Sequence, residues 1–558
     1  MRRLNLSNAR RALRNLAMLA TVGIAACSAS TGSEKPKGDP QDPLGYDDDS
    51  LTALATPCTY DPATNFMTVT IATGETAIIS KRAADSAILQ NGATCNSTVA
   101  PNGPVLVTAA ALKKITVTGS AGADTLILDF TNGVFATGTS SASASGIVVD
   151  LAGGTDKIGI KGTTGADNFV LGAGGGTPAL LTNTDLFKDV MVTAAETWIV
   201  SLGDGDDVWS AGGNATAGAA FGAAVTVYGG AGNDLFNQGS AVTLSETLSG
   251  GAGTDTVSYA SRTAALTMIL GDATATDGET GELDDLADDI EIVNGGSGND
   301  SMGGTALPHT FNGNDGDDTF NQRATTNGPE VLNGGNGTDT VDYSARGVGV
   351  TVTMDGVAAN DGEGGATEGD NVKADVENCK GSTVADTITG GPGNNTITGG
   401  LGDDTLSGGA GDDIFVALAV TDGADTISGG TGSDTVDYRL RTAAITAVLD
   451  GATTSGLGGG TEGDVLGAAC AAPLPYVGCT DVENLWGGTG ADVFTGNGSA
   501  NELVGGTGND TLSGGAGDDV LEGGGLAEAN VLDCGTGDGD TGFGQGSGVG
   551  NSRTNCEF

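Results

Sequence analysis

Long stretches of this chain repeat a single inward-type apolar position every nine residues. Residues 390–416 read GGPGNNTIT, GGLGDDTLS and GGAGDDIFV, and residues 487–522 read GGTGADVFT, GNGSANELV, GGTGNDTLS and GGAGDDVLE. In each unit a turn-forming, glycine-rich hexapeptide precedes three residues whose middle member is Ile, Leu or Phe. Three residues with an apolar centre predict a minimal strand, because side chains alternate between faces with period two. The hexapeptide predicts a tight turn, since glycine reaches backbone conformations closed to other residues. A fixed short period predicts a stack of similar coils around a thin core. The expected class is therefore all-β, a stack of repeated coils.

Other segments depart from this rhythm. Residues 51–118 alternate in short runs such as Met67-Thr68-Val69-Thr70-Ile71. They predict a β-rich N-terminal cap that covers the first open edge. Residues 119–215 hold degenerate repeats, as in Gly122-Ala123-Asp124 and Gly165-Ala166-Asp167. From 216 to 545 the repeats are sharp but interrupted three times. DTVSYASRTAALTMIL begins at Asp255, DTVDYSARGVGVTVTM at Asp339 and DTVDYRLRTAAITAVL at Asp434. Each copy aligns a tyrosine (259, 343, 438) and an arginine (262, 346, 441). Each then runs through a loop to Asp-Ile/Val-Glu and back to glycine-rich units. These predict coils with extended loops. Residues 546–558 are read as a C-terminal cap.

The N-terminus has a different logic. Arg2, Arg3, Arg10, Arg11 and Arg14 precede an apolar run from Leu16 to Ala26, which ends in Ile24-Ala25-Ala26-Cys27. That order is an export signal, and the run is too short to span a bilayer permanently. Ile-Ala-Ala-Cys resembles a bacterial lipobox. The expectation is a signal peptide over 1–26, lipid on Cys27 and attachment to a membrane. Arg10-Arg11 weakly resembles a twin-arginine signal; general secretion is preferred. Residues 27–50, rich in Ser, Pro, Gly and Asp, read as a flexible tether.

Charge then sharpens the picture. The chain has 22 basic and 71 acidic residues, a formal charge of −49. Without the first 26 residues it carries 17 basic residues against the same 71, near −54. A compact body with that charge repels itself, and bound cations are the natural compensation. Nucleic acid is excluded as a partner, because phosphate binding needs clustered Lys and Arg. The 99 glycines have no three-residue period, so collagen is excluded.

The nonapeptides resemble the repeats of the RTX (repeats-in-toxin, hemolysin-type) family, over roughly residues 200–545. The resemblance implies a parallel β-roll that binds several structural Ca²⁺ ions, with two nonapeptides per coil. The loop aspartates it marks are Asp234, Asp255, Asp300, Asp318, Asp339, Asp404, Asp413, Asp434, Asp492, Asp510 and Asp519, with Asp207 in a related GxGxD. Asn395 and Asn501 replace the aspartate in two loops and imply weaker sites. The chemistry agrees: Ca²⁺ takes six to eight oxygens, more than one loop supplies, so neighbouring loops share an ion. An N-terminal lipoprotein signal is unlike the one-step export common in the family, and weighs against a toxin.

Seven cysteines remain after Cys27, and an exported chain permits disulfides. Cys58 with Cys95, Cys470 with Cys479, and Cys534 with Cys556 are the candidate pairs. Cys379 follows Asp375-Val376-Glu377-Asn378 and matches Val293 and Leu485 in the sister copies, so it reads as a buried thiol rather than a reactive one. The recurring arginines read as structural ion pairs, with a ligand-binding row as the alternative. The tyrosines read as packing residues rather than glycan platforms.

No catalytic motif is found. His309 is the one histidine, which excludes a two-histidine zinc protease site, and no GxSxG elbow or P-loop is present. The reading is a calcium-binding structural or adhesive protein, extracytoplasmic and held at the outer membrane or cell surface or otherwise secreted. Polysaccharide or other cells are the candidate partners. A carbohydrate-active enzyme on a β-helix scaffold is the alternative, since glycosidases use paired carboxylates.

Overall fold

The computed structural model describes Leu44 and most of residues 58–556. Outside the description lie 1–43, 45–57, 96–106, 136–145, 175–176, 183–187, 213–218, 221–223, 241–244, 326, 358–359, 365–367, 458–461, 468–480, 526–527, 538, 545–551 and 557–558. Cys27, Cys470 and Cys479 therefore fall outside the described residues.

Among the described residues the elements formed are strands, many of them three residues long with only the middle side chain buried. Glycine-rich turns bound them on both sides, so they cannot lengthen. Each inward Ile, Leu, Val or Phe stacks on its counterpart one coil away, as in Val341↔Cys379↔Ile397↔Phe415. The inward residues form one continuous core from Tyr60 to Cys534. Burying each such side chain is worth roughly 1.5–3 kcal/mol. Stability therefore accumulates coil by coil rather than from one large centre.

Among the described residues the strands form five sheets, here called walls. Wall one runs from Thr59–Asp61 to Asn371–Val372, and wall two from the Ile88–Gln90/Ala93–Thr94 hairpin to Asp285–Leu286. Wall three runs from Leu266–Ile269 to Thr541–Gly544, wall four from Val350–Thr353 to Val465–Leu466, and wall five from Ile445–Val448 to Ser552–Thr554. The chain alternates between two walls at a time, and the coil-to-coil pairings are parallel. This is a parallel β-roll.

Each of the three inserts ends one wall and founds another. At the first, Asp285–Leu286 closes wall two while Leu266–Ile269 opens wall three. Wall one passes through unbroken, Thr256–Ser258 pairing with Ile292–Asn294. At the second, wall one ends, wall four begins and wall three continues. At the third, wall four ends, wall five begins and wall three again continues. The first two inserts place a short antiparallel hairpin at the break, Leu266 opposite Glu279 and Val350 opposite Glu363.

The first coils carry antiparallel additions, Thr59–Asp61 on Phe66–Thr70 and Ile88–Gln90 on Thr76–Lys81. A disulfide joins Cys58 to Cys95 there, and another joins Cys534 to Cys556 in the last coils. Cys379 is a free thiol, fully buried in the inward column, and burial raises its pKa.

Candidate metal centre

The glycine-rich loops between strands hold the chemistry. In Gly229-Gly230-Ala231-Gly232-Asn233-Asp234 the second and fourth residues have positive φ, 112° and 138°. Only glycine adopts that backbone without strain. The bare α-carbon of the first glycine matters for another reason. A Cβ on Gly229 would lie 2.2 Å from Asp234 Oδ2 and 2.4 Å from the carbonyl oxygen of Gly250. A carboxylate oxygen of one loop and a carbonyl of the next thus converge on the same face, which a side chain would fill.

The aspartates form ladders along the stack. The N–H of Asp207 donates to Asp234 Oδ1 (2.9 Å), that of Asp234 to Asp255 Oδ1 (2.8 Å), and that of Asp255 to Glu291 Oε2 (2.7 Å). Other columns repeat the pattern, as from Asp300 to Asp318 to Asp339 and from Asp413 to Asp434. An outer ladder runs the opposite way: Asn233 N–H donates to Asp206 Oδ1 and Thr254 N–H to Asn233 Oδ1.

One carboxylate oxygen per rung is therefore used. The other is not. Ten of the twelve aspartates marked from the sequence, all but Asp300 and Asp492, keep Oδ2 buried and without a hydrogen-bond partner. A buried unpaired carboxylate oxygen is costly unless a cation meets it. Burial, opposed in part by the ladder bond and reinforced by nearby carboxylates, lifts Asp207, Asp255, Asp318 and Asp404 to about 7. The same causes lift Asp234, Asp339, Asp413 and Asp510 to about 6. Such groups call for positive charge.

Among the described residues no three His, Cys, Asp or Glu side chains gather into a metal cluster. Side chains alone therefore do not make the site; an ion here would take a carboxylate oxygen together with main-chain carbonyls. Hard oxygen donors in a flexible shell suit Ca²⁺ rather than a soft or imidazole-seeking metal.

Asp300 and Asp492 are built differently. Asp300 accepts from Leu266 N–H (2.9 Å) on Oδ1 and from Gly296 N–H of its own loop (2.7 Å) on Oδ2. Asp492 accepts likewise from Ile445 and Gly488. The glycines of these two loops lack the positive φ of the open ones. Asn395 and Asn501 cap their own loops in the same way, through Gly391 and Asn497. Their amides also donate to the carbonyls of Glu377 (3.0 Å) and Glu483 (2.9 Å), which an aspartate could not do. All four loops stack directly on an insert or on its return strand. Self-capping marks the first loop of a column.

Sequence reasoning left out several acidic groups that join the ladders. Glu291, Glu377 and Glu483 take the rung after Asp255, Asp339 and Asp434. Asp540, in GTGDGD, accepts from Asp519 N–H and also keeps a buried, unpaired Oδ2, as does Asp156 among the degenerate repeats. The Asp-Ile/Val-Glu triplet after each insert was the visible signal for the glutamates.

The insert arginines are buried and paired. Arg262 binds Glu282 (2.6 Å) and Glu279 (3.0 Å), and Arg346 binds Glu368 (2.7 Å) and Glu363 (3.4 Å). Arg441 binds Asp422 (2.5 Å) and Glu462 (2.8 Å). Tyr259, Tyr343 and Tyr438 are also buried and donate to Asp284, Asp370 and Asp464. The arginine and tyrosine side chains plug the wall breaks and are closed off from solvent.

The family model of the RTX calcium-binding nonapeptide repeat, in four copies, matches residues 224–239, 381–415, 418–438, 480–512 and 495–525. The chain carries RTX calcium-binding repeats. The RTX repeats bind multiple, structural calcium ions. The matched segments include open loops with an unpaired oxygen, such as those of Asp234, Asp413 and Asp510, and the self-capped loops of Asn395 and Asp492. No curated protein matches the chain.

Proposed function

We propose that calcium is held by the ten aspartates with an unpaired Oδ2, each with carbonyl oxygens of its own and the next loop, and that Asp300 and Asp492 serve as caps instead. Bound calcium turns the RTX body into a rigid, extracytoplasmic structural or adhesive element, tethered by lipid on Cys27. The register of unpaired, buried carboxylate oxygens carries this reading. Calcium supplies the countercharge that so acidic a stack lacks, and binding free energy becomes folding free energy. The basic N-terminus, apolar run and Cys27 support the anchored placement, and the polar tether 27–50 would lift the body from a membrane.

Circular dichroism of the full chain, titrated with Ca²⁺, then chelator, with Mg²⁺ as control, tests the metal reading. A reversible, calcium-specific gain of β signal is expected; a signal indifferent to Ca²⁺ overturns it. Radiolabelled fatty acid should enter the wild-type chain and not Cys27→Ala. Adhesion predicts binding to cells or polysaccharide that chelator abolishes.

A further inference from the structure

The first two inserts each bury a pair of carboxyl groups beside one another. Glu246 is 1% exposed. Its Oε2 accepts from Gln238 Nε2 at 2.8 Å, while Oε1 has no hydrogen-bond partner. Its backbone N–H donates to Asp284 Oδ1 (2.9 Å), and Asp284 Oδ2 accepts from the Tyr259 hydroxyl (3.0 Å). The second insert repeats this arrangement. Gln322 donates to Glu330 Oε2 (2.8 Å), Glu330 N–H to Asp370 Oδ1 (3.0 Å), and Tyr343 to Asp370 Oδ2 (3.1 Å). Glu330 Oε1 is again unpartnered.

The arginine at each joint is already engaged. Arg262 is held by Glu282 and Glu279, and Arg346 by Glu368 and Glu363. The remaining groups facing the first pair are Glu282, Tyr259 and the Trp209 indole, whose N–H closes no good hydrogen bond. Those facing the second are Glu368, Tyr343 and His309, paired across the strand from Glu330. Burial lowers the pKa of His309, so it adds no charge at neutral pH. Each joint thus holds more buried carboxyls than its one arginine can balance.

We propose that each pair, Glu246 with Asp284 and Glu330 with Asp370, is a proton-held latch: one carboxyl of the pair stays uncharged at neutral pH, and its ionisation in alkaline solution loosens the joint where one wall gives way to the next. Two adjacent buried carboxylates without a free cation cannot both ionise cheaply. Burial first, and then the neighbouring carboxylates, lift Glu246 and Asp370 to about 7 and Asp284 and Glu330 to about 8. The position suits a latch, because Glu246 and Glu330 open the last full strands before the wall ends. The third insert is different: Ala417 replaces the glutamine and Asp425 the glutamate. Asp425 also takes Asp404 N–H, which ties it to the calcium loops.

The test uses the full chain at saturating Ca²⁺, so that loop protonation is held constant, and compares wild type with the double variant Glu246→Gln, Glu330→Gln. Infrared spectra of the wild type at neutral pH should show a protonated-carboxyl band that is lost by about pH 9. The band should be weakened or absent in the variant. The wild-type thermal midpoint should fall as pH rises from about 5 to about 8 and level off above that, and the variant's should fall less. Identical pH profiles, or no protonated-carboxyl band in the wild type, would overturn the latch. If the variant does not fold, the wild-type infrared titration decides alone.

Discussion

At the residue scale, the difference between an open and a self-capped loop comes down to one carboxylate oxygen. Asp413→Asn leaves the ladder bond from Asn395 possible but removes the charge from the free oxygen. Calorimetric titration should show the affinity of that site falling roughly tenfold or more, about 1.4 kcal/mol. Asp492→Asn should leave the calcium stoichiometry unchanged. Protons compete for the same oxygens. Calcium affinity should rise as pH increases through about 6 to 7, the range to which eight of the ten open-loop aspartates are lifted. The calcium-free fold should behave oppositely. A raised carboxyl contributes most stability below its ordinary value near 4 and loses it as pH climbs through about 7, so chelated protein should melt earlier at neutral pH than in mild acid.

Glycines divide in the same way. Gly230 sits at φ 112° with a would-be Cβ 2.0 Å from the Gly203 carbonyl oxygen, whereas Gly393 lacks positive φ and meets nothing within 4 Å. Gly230→Ala should cost several kcal/mol in denaturant unfolding, by strain and clash together. Gly393→Ala should cost less than about 1 kcal/mol. The nine-residue register made the loop positions readable, but not their state. Whether Asp300 caps Gly296 depends on what lies one coil below, 34 residues back at Leu266. No local pattern encodes that distance.

At the scale of elements, the inserts are joints. The aligned Tyr and Arg of the three copies were legible as a unit, and their pairing with carboxylates follows from charge scarcity. Their place was not legible, because period and composition do not say which wall continues. Removing one partner of a buried pair leaves an uncompensated charge. Arg346→Ala should therefore destabilise the calcium-loaded protein by about 3–5 kcal/mol in denaturant unfolding. Arg439, 59% exposed in its side chain and paired with Asp437, should contribute about 0–1 kcal/mol when replaced by alanine. The buried location of Arg262, Arg346 and Arg441 also removes the reading in which they form a ligand-binding row.

At the scale of the whole molecule, the fold was the most legible feature, because a repeated unit states its own stacking rule many times. A stack of near-neighbour contacts frays from its ends. Both described disulfides lie in terminal coils, closing separations of 37 and 22 residues. Their reduction should cost about 2–4 kcal/mol each. Hydrogen exchange should then accelerate in residues near 58–95 and 534–556 while the central coils, calcium-loaded, stay protected.

The handover between walls has a mechanical consequence. Wherever one sheet stops, its neighbour runs on: wall one past the first insert, wall three past the second and third. The joints are staggered like those in a course of brickwork. Pulled along the stacking axis, this body offers no seam at which both sides part at once. A break at any joint must also tear a continuous sheet and the buried ion pairs wedged beside it.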